Sequence, residues 1–236
     1  MHAIHYRHAD VDGHRLFYRE AGAAGVPAVV LLHGFPASSF MFRNLIPRLA
    51  DRYHVIAPDY LGFGLSDTPA VAEFGYTFDA LAGLTAGLLR RVGITRYAMY
   101  VHDYGAPVGW RLALNDPGAV TAIITQNGNG YEAGFAEEFW KPVRKYWQDH
   151  NPGTEAAVRQ ALTLDAIRWQ HLHGVAHGRP RDAQVPDLRP DVPEPRDLAG
   201  RTQPGTAHAV PHGYAVTRAM AAASDPAPRR PVRRTP

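Results

Sequence analysis

Two kinds of segment alternate along the first three quarters of the chain. The short continuous apolar run Ala28 to Leu32 is typical of a strand that is buried on both faces, and Val120 to Gln126 is predicted to be one more buried strand. Longer segments with helical spacing lie between such runs, at Ser39 to Ala50 and Thr77 to Arg91. Strands that alternate with helices predict an α/β protein with a mostly parallel sheet and helices on both faces.

Weaker patterns supply the remaining elements. Three further strands are predicted at Arg15 to Glu20, Tyr53 to Ala57 and Tyr97 to Val101. A helix is predicted after the last of them, ending near Asn115. Two more segments have helical spacing and little strand character, Phe135 to Gln148 and Thr154 to His171.

The character of the sequence changes near His177. Eleven of the 20 prolines lie in residues 177–236, where Tyr214 is the sole aromatic residue. Prolines at this density remove backbone hydrogen-bond donors, and too few apolar residues remain to bury a core. We therefore expect this tail to be largely disordered.

Composition narrows the classes of function. The absence of cysteine excludes disulfides and Cys-ligated metals, and it fits a reducing compartment, so a cytoplasmic location is expected. A formal net charge of +3 gives no indication of nucleic-acid binding. The N-terminal residues contain no continuous apolar stretch, so neither a signal peptide nor a membrane span is predicted.

The first candidate for chemistry is Asp103. It is the central residue of Val101-His102-Asp103-Tyr104-Gly105, which lies between a predicted strand and a predicted helix. This layout is that of a nucleophile elbow, in which a tight turn between small neighbours lifts the central side chain out of the sheet. By itself the pentapeptide is weak evidence, because an aspartate that caps a helix is the more common interpretation of such a segment.

Two further segments decide between these interpretations. His33-Gly34-Phe35-Pro36 follows the buried strand at Ala28 to Leu32, and residues 57–67 read Ala-Pro-Asp-Tyr-Leu-Gly-Phe-Gly-Leu-Ser-Asp. With the elbow, they resemble the oxyanion loop and the Gly-x-Gly loop of the α/β-hydrolase family, in the family's order. The resemblance covers roughly residues 12 to 175. His33, Asp59 and Asp67 are expected to brace these loops rather than to act in catalysis.

An aspartate at the elbow resembles the branch that contains epoxide hydrolases and haloalkane dehalogenases. The resemblance implies that Asp103 attacks a carbon atom of a small-molecule substrate and forms an alkyl ester. It also implies that the backbone N–H groups of Phe35 and Tyr104 form the oxyanion hole. No cofactor and no metal are expected, and the oligomeric state is left open.

The choice of branch depends on neighbouring residues. Haloalkane dehalogenases usually have Trp directly after the nucleophile and often have Asn in the oxyanion loop, where this chain has Tyr104 and Phe35. Epoxide chemistry is therefore placed first and halide chemistry second. Tyr131, Tyr146 and Trp147 lie where a helical cap would begin, and they are candidate substrate-binding residues for which ordinary packing is the alternative.

The family's catalytic histidine and second acid normally follow the cap, on the last two strands of the core. No apolar runs of that kind are found after His173, so we expect the C-terminal strands to be missing. A frameshift near residues 175–181 of the gene is one hypothesis. The expected division is an N-terminal core (1–130), the start of a helical cap (131–176) and the tail (177–236). Two interpretations stay open: an impaired hydrolase, or a non-catalytic remnant of the same fold.

Overall fold

A six-stranded sheet forms the centre of the protein. The computed structural model of the chain describes residues 3–160, 163, 165–167 and 169. The strands are β1 (His5–Val11), β2 (His14–Ala21), β3 (Ala28–Leu32), β4 (His54–Pro58), β5 (Tyr97–His102) and β6 (Val120–Gln126). They lie side by side in the order β1-β2-β4-β3-β5-β6. Strands β4, β3, β5 and β6 are parallel, whereas β1 pairs antiparallel with β2, and β2 with β4. The predicted mostly parallel sheet is confirmed.

Five α-helices and two 3₁₀-helices surround this sheet in the described part of the chain. The α-helices are α1 (Ile46–Leu49), α2 (Phe78–Arg91), α3 (Gly105–Asn115), α4 (Glu137–Gln148) and α5 (Pro152–Arg159). The 3₁₀-helices span Ser39–Phe42 and Glu132–Gly134. The start of α2 follows the prediction, because the Thr77 hydroxyl accepts a hydrogen bond from the N–H of Ala80 at 3.0 Å and so caps the helix.

The single helix predicted from Ser39 to Ala50 is wrong, although its predicted cap is right. The Ser38 hydroxyl accepts the N–H of Phe40 at 3.2 Å, and one 3₁₀ turn follows. A separate helix, α1, then begins with Pro47 in its first turn. Proline has no N–H and its ring clashes with the carbonyl four residues earlier, so Pro47 disfavours a helix interior and is well placed in the first turn of α1.

Strand β1 was not predicted from the sequence. Its side chains are mostly exposed, and Val11 is its one buried residue. The strand is held by antiparallel pairing with β2, in which His5 lies opposite Glu20 and Val11 opposite His14. A pattern of buried apolar residues is therefore weak in β1, because its backbone is paired while its faces are in water.

The sheet has a core on each face at its centre. All five residues of β3 and all five of β4 are buried. Val30 and Leu32 pack with the apolar residues of α2 and α3. Val29 and Leu31 point to the opposite face, where they meet the residues of α1 and of the first 3₁₀-helix. The strand that precedes the oxyanion loop is thus enclosed on both sides.

Strand β6 was predicted to be buried, and for the described part of the chain that prediction is wrong. Its burial ranges from half-buried at Val120 to exposed for the six following residues. Ile123 and Ile124 are 43% and 53% exposed. Among the described residues β6 pairs with β5 alone, and it forms one end of the sheet.

Helices α4 and α5 occupy the region predicted as the start of a cap. Helix α4 begins after the 3₁₀-helix at Glu132–Gly134, and α5 is capped by Asn151, whose side chain accepts the N–H groups of Gly153 and Thr154. The division at residues 130 and 176 stays a prediction. The tail at 177–236, with its predicted disorder, lies outside the described residues. No helix in the described ranges is long and apolar enough to cross a membrane.

Candidate active site

Strand β5 leads directly into Asp103, which is followed at once by α3. Asp103 has φ 50°, a left-handed conformation that a residue with a side chain seldom adopts. The turn needs small neighbours. A Cβ on Gly105 would collide with the carbonyl oxygen of Leu32, and one on Gly109 would lie 2.5 Å from a methyl of Val101. The backbone therefore has the form of a nucleophile elbow.

The two carboxylate oxygens of Asp103 have different surroundings. Oδ1 accepts the backbone N–H of Phe35 at 2.7 Å and that of Tyr104 at 2.6 Å. The described residues donate no hydrogen bond to Oδ2. One oxygen is thus fixed by the two N–H groups predicted for the oxyanion hole, and the other keeps its lone pairs available.

Burial dominates the electrostatics of this carboxyl group. Removal from water raises the pKa of Asp103 above its ordinary value of 3.8. The hydrogen bonds from Phe35 and Tyr104, and then the charge of nearby His102, act in the opposite direction and favour the ionised form. The site therefore holds a desolvated carboxylate whose charge is stabilised by donors at one oxygen only.

The loop that carries Phe35 is braced by His33. The buried ring nitrogen Nε2 of His33 accepts the N–H of Tyr60 at 3.3 Å, so Nδ1 carries the proton and donates to the carbonyl of Gly34 at 3.0 Å. Burial lowers the pKa of His33, which keeps the ring neutral. Both ring nitrogens are occupied, which favours the bracing role over that of a base.

Gly34 allows the loop to approach the nucleophile. A Cβ at this position would lie 2.6 Å from Cβ of Asp103, and 3.0 Å from both Oδ1 of Asp103 and Cδ2 of His102. The separation of 2.6 Å is shorter than real Cβ contacts, so a larger residue would displace the loop or the carboxylate. The hydrogen bond from Phe35 therefore depends on the absence of a side chain at residue 34.

Asp59 and Asp67 bind backbone groups of the loops around the site. Oδ1 of Asp59 accepts the N–H of Ser39 at 2.7 Å, and Oδ2 accepts that of Leu65 at 2.9 Å. Oδ2 of Asp67 accepts the N–H of Arg15 at 2.8 Å. These contacts connect the loop at residues 59–67 to β2 and to the first 3₁₀-helix. They support the bracing role expected of both carboxylates.

Aromatic rings surround Tyr104. Its ring centroid lies 5.0 Å from that of Phe78 and 5.6 Å from that of Phe35. Phe63 lies at 6.3 Å and also contacts Tyr60. The side chain that directly follows Asp103 thus packs among aromatic rings.

The candidate substrate-binding residues differ in their placement. Tyr146 is buried and its ring lies 4.7 Å from that of His150. Trp147 contacts Trp140, and its indole N–H is buried without a hydrogen-bond partner among the described residues. Tyr131 is 86% exposed, and no hydrogen bond or ring contact joins its side chain to a described residue. Tyr146 belongs to the apolar core and Trp147 packs against it. The substrate-binding role of all three residues stays a prediction.

Sequence reasoning missed several polar groups near Asp103. The hydroxyls of Tyr60 and Tyr104 and Nδ1 of His102 are buried without a hydrogen-bond partner among the described residues. Tyr60 directly follows Asp59, a residue that was expected to brace its loop. This adjacency was the one signal in the sequence that could have pointed to Tyr60. Among the residues that the structure describes, no cluster of His, Asp and Glu could hold a metal ion.

The sequence from residue 27 to residue 173 matches the alpha/beta hydrolase fold family. The match covers more than half of the chain and includes β3, β5, the elbow and the oxyanion loop. The chain therefore belongs to the alpha/beta hydrolase fold family, as the motifs predicted. Its relatives include epoxide hydrolases and haloalkane dehalogenases.

Three relatives illustrate this range. An uncharacterized hydrolase of Saccharomyces cerevisiae is 52% identical over 139 residues, which are 59% of this chain and 47% of that protein. Epoxide hydrolase A of Mycobacterium tuberculosis is 42% identical over 118 residues, or 50% of this chain and 36% of that one. A haloalkane dehalogenase of Bradyrhizobium diazoefficiens is 35% identical over 157 residues, or 66% and 46%. The chain thus matches less than half the length of each relative.

A solved structure agrees with this assignment. The crystal structure of epoxide hydrolase A from Mycobacterium thermoresistibile superposes on the protein with a TM-score of 0.57 and 32% sequence identity. The superposition covers 75% of this chain and 58% of the other. The α/β-hydrolase fold predicted from the motifs is therefore confirmed, for the part of the fold that the chain contains.

Proposed function

We propose that the protein attacks a saturated carbon atom of a small molecule with Asp103, as an epoxide hydrolase-like enzyme first and a haloalkane dehalogenase-like enzyme second. One observation carries the proposal. Both predicted N–H donors bind the same oxygen of Asp103, at 2.7 and 2.6 Å, and no described donor binds the other oxygen. That division prepares Oδ2 for attack and Oδ1 for the charge that develops later.

The first step forms a covalent ester. Oδ2 of Asp103 attacks the carbon, and the bond from carbon to the halide or to the epoxide oxygen breaks. The electron pair of that bond leaves with the halide or the oxygen. The carboxylate becomes an alkyl ester whose carbonyl oxygen is Oδ1, still within reach of the N–H groups of Phe35 and Tyr104.

The second step would use the same two donors. When water attacks the ester carbon, negative charge develops on Oδ1. Preorganised N–H groups stabilise such a charge, and the loss of one donor costs about 10²–10³ in rate in other enzymes. The hydrogen bonds that already hold Oδ1 in the free protein support this role for Phe35 and Tyr104.

Substrate binding is assigned to the aromatic surroundings of Asp103. Tyr131, Tyr146 and Trp147 are proposed to contact the substrate, and ordinary packing is the alternative for Tyr146 and Trp147, which lie in or against the apolar core. The names of the relatives support both epoxides and alkyl halides as substrate classes. A cytoplasmic location is part of the same proposal.

Turnover is proposed to be impaired, because hydrolysis of the ester needs a base to activate water. His33 uses both ring nitrogens in bracing its loop, and burial lowers its pKa. The alternative is a non-catalytic protein of the same fold. The two differ in a measurable way: an impaired enzyme forms a persistent ester on Asp103, and a non-catalytic protein forms none.

Intact mass spectrometry of the full chain tests the proposal. With styrene oxide we expect the mass to rise by one epoxide per chain, and with 1-bromobutane by one butyl group that replaces a proton, in each case on Asp103 after peptide mapping. Asp103→Asn should form no adduct. Asp79→Asn, which alters an exposed carboxylate in the first turn of α2, is the matched control and should react like the parent. A folded parent that forms no adduct contradicts the proposal.

A further inference from the structure

Two Asn-Gly pairs follow strand β6. They are Asn127-Gly128 and Asn129-Gly130, and the sequence contains this dipeptide at no other position. Asparagine is chemically labile, and a following glycine makes it more so, because no side chain shields the glycine nitrogen from the asparagine side chain. The two pairs have different surroundings in the structure, which distinguishes a reactive asparagine from a protected one.

Asn127 is the more accessible of the two asparagines. It is exposed, and its side chain forms no hydrogen bond with a described residue. The backbone N–H of Gly128 likewise donates to no acceptor in the described part of the chain. The amide carbon of Asn127 and the nitrogen that can attack it are therefore not held apart by hydrogen bonds to these residues.

Asn129 is held in place by its neighbours. It is half-buried, and its carbonyl oxygen accepts the indole N–H of Trp110 at 3.0 Å. Its side chain lies against the second 3₁₀-helix, since a Cβ on Gly134 would lie 2.9 Å from both Cγ and Oδ1 of Asn129. Ring closure onto the nitrogen of residue 130 requires this side chain and the adjoining peptide to rotate. These contacts oppose that rotation, so Asn129 is the protected asparagine.

The backbone of this loop favours both members of the first pair. A Cβ on Gly128 would lie 2.6 Å from Cβ of Ala106 in α3, so a residue with a side chain does not fit there. Asn127 has φ 51°, a left-handed conformation that asparagine adopts more readily than most residues. The labile pair thus follows from the way in which the loop turns and packs against α3.

We propose that Asn127 is a site of spontaneous deamidation. The backbone nitrogen of Gly128 attacks Cγ of Asn127, a carbon–nitrogen bond forms, and the bond from Cγ to the side-chain amide nitrogen breaks. The amide group leaves as ammonia and takes the proton of the Gly128 N–H. Water then opens the resulting succinimide ring at either carbonyl, which gives aspartate or isoaspartate at residue 127.

Deamidation would change the charge at the edge of the sheet that carries Asp103. Strands β5 and β6 are parallel, and His102 lies opposite Gln126, so Asp103 and Asn127 each follow directly at the same edge. A neutral amide there becomes a carboxylate, one strand away from the candidate nucleophile. Isoaspartate also lengthens the backbone by a methylene group, which would disturb the contact of Gly128 with Ala106. The inference goes beyond the proposed function and does not depend on ester formation.

Peptide mapping of the full chain tests the inference after incubation at mildly alkaline pH, which favours loss of the proton from the attacking N–H. Residue 127 should deamidate at least roughly fivefold faster than residue 129, because reaction at residue 129 must disrupt the hydrogen bond from Trp110. In concentrated urea these contacts are lost. Glycine follows both asparagines, so the two rates should then agree within about twofold.

Two variants form a matched pair, since each replaces one asparagine by aspartate and adds the same charge. In Asn127→Asp the release of ammonia by the folded chain should fall to a small fraction of the parent rate. In Asn129→Asp it should keep most of that rate. Equal rates at the two residues of the folded parent, or a faster reaction at residue 129, overturn the inference. A folded parent in which residue 127 stays intact overturns it as well.

Discussion

The sequence predicts burial for both β3 and β6, yet the two strands have opposite surroundings in the structure. β3 lies between β4 and β5 and is buried at every residue, with a core on each face. Within the described ranges β6 pairs with β5 alone, and six of its seven residues are exposed. The sequence pattern of a strand thus predicts that the strand can be buried. Whether it is buried depends on which other elements pack against it.

The candidate site lies at the ends of β3 and β5 rather than at β6. The N–H of Phe35 follows β3, and Asp103 with the N–H of Tyr104 follows β5. Their mutual distances are set by the pairing of β3 with β5, in which Leu32 lies opposite Val101. The position of Asp103 relative to Phe35 is therefore set by the pairing of β3 with β5 and not by β6.

The largest expected effect comes from truncating equivalent positions in the two strands. Leu31 and Ile124 both lie opposite Tyr100, one on each side of it. Leu31→Ala empties a fully buried position and should lower the free energy of unfolding by about 2–5 kcal/mol. Ile124→Ala should change it by no more than about 0.5 kcal/mol. Urea unfolding of the two variants measures both values, and equal costs would mean that β6 is covered in the folded protein.

Much of the structure around β3 and β5 could be predicted from the sequence. β3 and the elbow at Asp103 were found because burial on both faces produces an uninterrupted apolar run, and because the elbow requires small residues after the nucleophile. β1 was missed, since its side chains are mostly exposed. The break between the 3₁₀-helix and α1 was missed as well, because the helical spacing outweighed the signal of Pro47.

The parts of the candidate site that backbone groups form could be predicted from the sequence. The positions of its side chains were harder to predict. Phe35 and Tyr104 were assigned through their N–H groups, whose positions follow from strand ends. The Tyr60 hydroxyl was not found, because its location depends on how its ring packs on His33. The exposure of Tyr131 could not be predicted from the sequence either. Tyrosine occurs both at exposed rims and in buried pockets, so the residue type does not distinguish the two.

The second prediction tests how tightly the loop after β3 packs against Asp103. In Gly34→Ala the new methyl would lie 2.6 Å from Cβ of Asp103, so we expect a loss of about 1–3 kcal/mol in stability and slower adduct formation. Gly83→Ala in α2 is the control. Nothing lies within 4 Å of a Cβ there, and alanine should stabilise the helix by about 0.4–1 kcal/mol. An unchanged adduct rate in Gly34→Ala would contradict the close approach of the loop.

The third prediction concerns the effect of the buried Asp103 carboxylate on the stability of the folded protein. The pKa of Asp103 is raised by burial, so the folded protein binds more protons than the unfolded chain at pH values just above 3.8. Stability from this group is present at low pH and is lost as the pH rises through the raised pKa. Asp103→Asn removes that dependence. Urea unfolding across pH should show an advantage of the variant that grows above pH 3.8, and a difference independent of pH would contradict it.

The smallest expected effect lies at the exposed strand. Ile123 is 43% exposed, and its strand contains no charged residue that would discourage pairing with other chains. In Ile123→Lys the aliphatic part of lysine can lie along the sheet with its amine in water, so unfolding should change by no more than about 0.5 kcal/mol. Sedimentation should show that the variant stays monomeric to a higher concentration than the parent. A loss of several kcal/mol would instead mean that β6 is enclosed, and the contrast with β3 would disappear.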